Sequence, residues 1–166
     1  ANILAPQRTF LSYYGDAILP NKIQTSKGGV GTLEDRILFE KFVDDNLVEV
    51  KQVNGASTTY IWGYNKRYVI AKIENATYAD VEGLEAFPGG FTIIDGLSQT
   101  QKDALRNNLA GALVTTYDYE PLVGVTSITD PNNQTITYHY DEFNRLEFVK
   151  DKDGMILNET QYNYKN

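Results

Sequence analysis

The chain has 166 residues, 42% of them hydrophobic, with twelve Tyr and seven Phe. That length suits a single domain with a sizeable core, and the aromatic content excludes a disordered chain. The net charge of −7 comes from acids spread along the sequence, which favours solubility and argues against nucleic acid, whose phosphates need a basic stripe.

Residues 1–33 carry little pattern beyond Phe10 to Tyr14, which could be a strand, and we expect an irregular N-terminal segment. Arg36 to Phe42 alternates well enough for a first strand. Asp44 to Asn46 turns it, because Asp and Asn bond their own backbone and tolerate left-handed angles. Leu47 to Val53 returns. Asn54-Gly55 then signals a tight hairpin in which both residues accept positive φ. Thr58 to Tyr64 and Tyr68 to Ile73 complete a first hairpin block at 34–73.

The middle of the chain changes period. Thr77 is placed to cap a short helix, with Asp80 complementing the cap. Gly89-Gly90 breaks the chain. Ser98 and Gln101 form a capping box, and Ala104, Leu105 and Leu109 recur at helical spacing, which predicts a helix from about Gln99 to about Leu109. Residues 77–111 are therefore a helical insertion. Strands resume over 113–166 at Leu113–Tyr119, Gly124–Thr129, Thr135–Tyr140, Leu146–Lys150 and Glu159–Tyr164, with Asp130 to Asn133 as a turn. The expected fold is mainly β: one antiparallel hairpin meander with one or two short helices inserted.

Thr137 to Gly154 is the most informative stretch. It reads strand, turn, strand, turn, and a weaker copy lies at Glu40 to Gly55, with Leu47, Val50 and Gly55 at the offsets of Leu146, Val149 and Gly154. An internal hairpin repeat is a signal of architecture rather than of catalysis. The residues Tyr138, Tyr140, Asp141, Asn144, Arg145, Leu146, Val149, Asp151 and Gly154 resemble the YD repeat of bacterial RHS and YD-repeat proteins. The resemblance extends over roughly 34–73 and 113–166, where Phe42-Val43 replaces Tyr-Asp in the first copy. It implies hairpins laid side by side, in a chain that is the C-terminal region or a fragment of a long secreted or surface protein. Such proteins often form a shell around a toxin. No toxin domain is visible here, and the resemblance transfers no catalytic residues.

Other constellations resolve to structure. Ser26 to Thr32 imitates a phosphate-binding loop but lacks the lysine before the threonine. His139 is the sole histidine; it faces away from Tyr138 and Tyr140 and has no nucleophile elbow to serve. Asp151 and Asp153, or Asp44 and Asp45, suit turns better than a calcium loop. Glu34, Asp35 and Glu40, like Asp141 and Glu142, are solvated acids before they are glycosidase pairs. With no Cys, disulfides and thiolate metal sites are excluded. No apolar run approaches the ~20 residues of a membrane span, and Ala1 to Pro6 lacks the features of a signal peptide. The sequons at Asn75, Asn133 and Asn158 are incidental in a bacterial chain.

Two functional expectations remain. The first is a non-catalytic module, with no cofactor and no metal, whose partners are other repeats of a larger parent chain or another protein. The second is glycan binding by an exposed aromatic face, with Trp62, Tyr60, Tyr64, Tyr138 and Tyr140 as the contacting rings. Arg145 is expected to pack its guanidinium against neighbouring rings.

Overall fold

The computed structural model describes residues 6–26, 32–88, 91 and 95–162. The glycine-rich loop at 27–31, the Gly89-Gly90 break and Tyr164 lie outside the described residues. Among those described, eleven strands form one antiparallel sheet in chain order: β1 (Gln7–Tyr14), β2 (Ala17–Ser26), β3 (Leu33–Val43), β4 (Asn46–Gln52), β5 (Ser57–Gly63), β6 (Tyr68–Glu74), β7 (Leu113–Glu120), β8 (Gly124–Thr129), β9 (Thr135–Tyr140), β10 (Leu146–Lys150) and β11 (Ile156–Glu159). Two helices, α1 (Tyr78–Glu82) and α2 (Gln99–Asn108), sit between β6 and β7.

Three expectations are corrected. The N-terminal segment is a hairpin rather than irregular: β1 and β2 pair from Gln7↔Thr25 to Tyr14↔Ala17, around Gly15 at φ 61°. Its strands hid because both carry mixed side chains, and in β2 the register shift opposite Phe10 and Leu11 leaves Asn21 unpaired and breaks the alternation a strand is read by. At Asn54-Gly55 only Asn54 is left-handed (φ 63°). The link occupies 53–56 and Gly55 N–H donates to the Gln52 carbonyl at 2.9 Å, so this is no two-residue primed turn. The last strand begins at Ile156 rather than Glu159, because the turn after Asp151 feeds it straight back along β10, with Val149 opposite Asn158. By contrast Asp44 and Asp45 make the tight turn foreseen for them, both left-handed at φ 49° and 64°.

Both helices start where their caps predict. Thr77 Oγ1 accepts from Asp80 N–H and Ser98 Oγ from Gln101 N–H, and in each the third residue's side chain returns the bond. The helical segment covers one face of β5–β7. Ile61, Ile70, Ala71, Ile73 and Val114 from the sheet meet Val81, Phe87, Leu97 and Leu105 from above. β5 shows the consequence: Ser57, Thr59, Ile61 and Gly63 are buried, while Thr58, Tyr60 and Trp62 between them are half-exposed. The buried Thr59 hydroxyl donates to the Ala76 carbonyl at 2.9 Å, so no polar group is stranded there.

Arg106 fastens this cover to the C-terminal strands. Its guanidinium donates to the carbonyls of Val114 (2.8 Å), Asp130 (3.1 Å) and Thr129 (3.3 Å), and to Thr116 Oγ1 (3.3 Å). Replacing it with Met keeps the stem and removes every one of these donors. Arg106→Met is expected to cost roughly 2–3 kcal/mol, since partly buried carbonyls lose charged partners; the shift of the urea unfolding midpoint measures it.

Candidate functional site

The C-terminal hairpins are built on one turn used three times. Asp130, Asp141 and Asp151 each open it. The N–H three residues on donates to the Asp carbonyl, from Asn133, Asn144 and Gly154, at 3.0, 2.9 and 3.1 Å. The Asp N–H donates to the carbonyl four residues on, at Gln134, Arg145 and Met155, at 3.0, 2.9 and 3.0 Å. The Asp Oδ1 accepts the N–H of that same fourth residue at 2.8, 3.0 and 2.9 Å. The third residue is left-handed each time, with φ 61°, 60° and 81°, which is why Asn or Gly stands there. Sequence reading found the second and third turns and took the first as an ordinary turn. The signal it missed is the shared pattern of Asp with Asn or Gly three residues later, recurring at 130, 141 and 151.

The repeat residues come together around the second turn. Arg145 Nε donates to Asp141 Oδ2 at 2.7 Å, and its guanidinium lies between the rings of Phe143 (4.9 Å) and Tyr162 (4.5 Å). The expected packing of Arg145 on aromatic rings is what the structure holds. The Asp141 carboxyl is kept below its ordinary value by its bond from Arg145. Tyr140 turns its hydroxyl to the Val125 carbonyl at 2.9 Å, and its ring lies against Gly124 so closely that a Cβ there would collide with it. Leu146 is opposite Tyr140 across the ladder. In the upstream copy, Gly55 is not left-handed as Gly154 is, so the two copies share offsets but not turns.

The five aromatic candidates are not one constellation. Tyr60 and Tyr138 do share the sheet face away from the helices. Cross-strand pairs trace it: Ile23–Ile37, Phe39–Val50, Val50–Thr58, Tyr60–Lys72, Lys72–Thr115, Tyr117–Ile128, Ile128–Ile136 and Tyr138–Val149. Every apolar and aromatic residue on this path is half-buried. Four strand spacings separate β5 from β9, about 19 Å, so the tyrosines of the two strands cannot hold one sugar ring between them. Trp62 donates its indole N–H to the Leu47 carbonyl at 2.8 Å and, with Tyr60, lines a cleft of about 40 Å³, room for water but not for a pyranose. Tyr60 also borders a wider shallow groove of about 520 Å³ with Phe39, Val50, Lys72 and Glu74.

Tyr64 belongs elsewhere. Its hydroxyl donates to the Tyr119 carbonyl at 3.0 Å and accepts the Tyr119 N–H at 3.1 Å, while Tyr68 stacks on Tyr119 with ring centres 4.8 Å apart. His139 is exposed and stacks on Phe148 at 4.5 Å. Among the described residues no three His, Asp or Glu side chains gather in a way that could hold a metal. The Asp151 carboxylate is occupied with the N–H groups of Asp153 and Met155.

Three hydrogen-bonded carboxyls, in β3, in the α1 cap and in the second Asp turn, give the fold a pH signature. The carboxyls of Asp35, Asp80 and Asp141 are all held below the ordinary value of 3.8, by bonds from Gln24, Thr77 and Arg145 respectively. A depressed native pKa contributes stability above the unfolded value and loses it as pH falls through the native one. Stability is therefore expected to stay level down to about pH 4 and to drop below it. Asp141→Asn should be less stable than the parent at pH 7, with the gap closing below pH 4; urea midpoints across pH 2–7 read this, and a constant gap would contradict it. Asn144→Gly should be tolerated, whereas Asn144→Ile should lose about 1–2 kcal/mol to the left-handed backbone.

No curated protein matches the chain. The RHS Repeat family matches residues 123–154, the span that contains β8 to β10, the first two Asp turns and the third as far as Gly154. Residues 123–154 are therefore similar to an RHS repeat, with β8, β9 and β10 inside the matched span.

Proposed function

We propose that the chain is a non-catalytic structural and interaction module of a larger secreted or cell-surface bacterial protein. In this reading its hairpins form part of a β-shell, and its open edges meet further repeats of the parent or another protein. The observation that carries the reading is the state of β11. Among the described residues it is the last strand of the sheet, and its Ile156 and Leu157 are 56% and 57% exposed, with Met155 just before it 67% exposed. It contains neither Lys nor Pro, and although it is short, with Glu159 as its one charged residue, its apolar half has none of the residues that most often blunt a free edge. At the other edge β1 exposes Leu11 and Tyr13. A strand of this kind is a template for one more strand, and the Asp turns supply a means of adding strands one by one. RHS repeats are generally structural, and their proteins are typically extracellular or at the cell surface, which supports the location. No described helix is long and apolar enough to cross a membrane.

An uncovered edge makes the isolated chain self-associate. With eleven strands, β1 and β11 run in the same direction, so a two-fold-related copy is needed to pair β11 with its counterpart antiparallel. Sedimentation velocity is expected to show concentration-dependent association that Leu157→Lys abolishes while the far-UV spectrum stays unchanged. A parent chain that remains monomeric at every concentration would refute an adhesive edge.

A second reading, a carbohydrate-binding face, is favoured by the groove beside Tyr60 with its Lys72 and Glu74 side chains. Trp62, the single tryptophan, reports on it: glycan titration should change its fluorescence and Tyr60→Ala should remove the change. A flat titration across a broad glycan panel disposes of this reading.

A further inference from the structure

Asn54-Gly55 is the one Asn-Gly pair in the chain, and the β4–β5 link presents it to solvent. Both residues are exposed, as are Gln52 and Val53 before them and Ala56 after. Asparagine is a chemically labile residue, because its side-chain carbonyl carbon lies within ring-closing reach of the next residue's backbone nitrogen. A side chain on that next residue shields the nitrogen, and glycine has none. The turn itself selects glycine here: a Cβ on Gly55 would stand 3.0 Å from Gln52 Cβ and 3.3 Å from the Gln52 carbonyl oxygen.

The surroundings set Asn54 apart from the other asparagines. Asn46 and Asn75 give their side-chain amides to the carbonyls of Lys66 and Gly111, at 2.8 and 3.3 Å, whereas the Asn54 side chain has no partner among the described residues. Asn133 and Asn144 share its left-handed backbone, with φ 61° and 60° against 63°. The nitrogens that follow them, in Gln134 and Arg145, are shielded by side chains and bonded to the carboxylates of Asp130 and Asp141. The Gly55 N–H is held by the Gln52 carbonyl at 2.9 Å, a single bond in an exposed link that needs only local opening to release it.

We propose that Asn54 is a site of spontaneous deamidation in the folded chain, and that the product loosens the link between β4 and β5. The Gly55 nitrogen loses its proton to hydroxide and attacks Asn54 Cγ. The N–Cγ bond forms, the Cγ–Nδ2 bond breaks, and Nδ2 takes a proton from water and leaves as ammonia. A second water opens the imide. Opening at the side-chain carbonyl gives an aspartate; opening at the main-chain carbonyl gives an isoaspartate, whose chain runs through Cβ. Aspartate tolerates the left-handed backbone as asparagine does. Isoaspartate adds a methylene ahead of the Gly55 N–H and carries it off the Gln52 carbonyl, just before the ladder that sets Lys51 opposite Ser57. Either carboxylate also enters the groove that Asn54 shares with Glu34 and Asp35, a small cost between exposed groups. The link is remote from both edge strands, so the site stands or falls apart from the edge-pairing reading.

The test incubates the full chain in mildly alkaline buffer at physiological temperature and maps its peptides by mass spectrometry. Asn54 is expected to convert at least about tenfold faster than Asn133 and Asn144. Its rate should rise with pH, because the attacking nitrogen must lose its proton, and should rise further in urea, where the Gly55 N–H is released. The deamidated fraction, separated on an anion exchanger by its added charge, should unfold at lower urea than Asn54→Asp, which carries the charge without the methylene. The proposal is overturned by an Asn54 that stays intact in the folded chain while it converts in urea, by Asn133 or Asn144 keeping pace with it, or by a deamidated fraction as stable as Asn54→Asp.

Discussion

The closure of the Asp turn is what the C-terminal half of the sheet depends on. No residue of β8 to β11 is buried, so hydrophobic burial cannot set their register. A slip of one residue would exchange the two faces of every strand. Each Asp turn forbids that slip locally, because a backbone pair and a carboxylate bond meet at one position and a left-handed Asn or Gly is required at another. The ladder inherits its register from these short-range bonds, and the rings of Phe143, Arg145 and Tyr162 pack over the second turn as a consequence.

The middle of the sheet solves the same problem differently. Its strands β5 to β7 are covered by the helical segment, and burial of Ile61, Ile70, Ile73 and Val114 fixes register from one face. The two regimes meet at α2. Arg106 reaches the carbonyls at the end of β8 and at the first Asp turn, while Lys102 pairs with Asp118, which also accepts from Ser127. Partly exposed ion pairs contribute little singly, but these bonds tie the buried part of the sheet to the part without a core.

Tyrosine serves both regimes. Its ring covers apolar surface and its hydroxyl ends on a backbone carbonyl, as at Tyr119 to Val69 and Tyr140 to Val125. Burial raises the hydroxyl pKa of Tyr117, Tyr119 and Tyr140, so these rings remain neutral at physiological pH and behave as packing groups. The half-buried stripe from Ile23 to Val149 is the face such packing leaves outward, and the groove beside Tyr60 lies within it.

The sequence by itself determined the elements whose causes are local. The Thr77 and Ser98 caps, the left-handed Asp44-Asp45 pair, the Asp141 and Asp151 turns and the strand positions from β5 to β10 all follow from residues within four places of one another. Tertiary structure decided what depends on distant partners. It paired β1 with β2, whose mixed side chains hid them, and it assigned Tyr64 to a cluster with Tyr119, 55 residues away. It also divided an aromatic set that period two had grouped together, since alternation fixes the face of a strand but not the spacing between strands. The left-handed Leu122 shows the same limit: Pro121 suits the second position of a turn, whereas the concavity lined by Tyr68, Pro121 and Leu122 exists only once the β5–β6 and β7–β8 hairpins are neighbours.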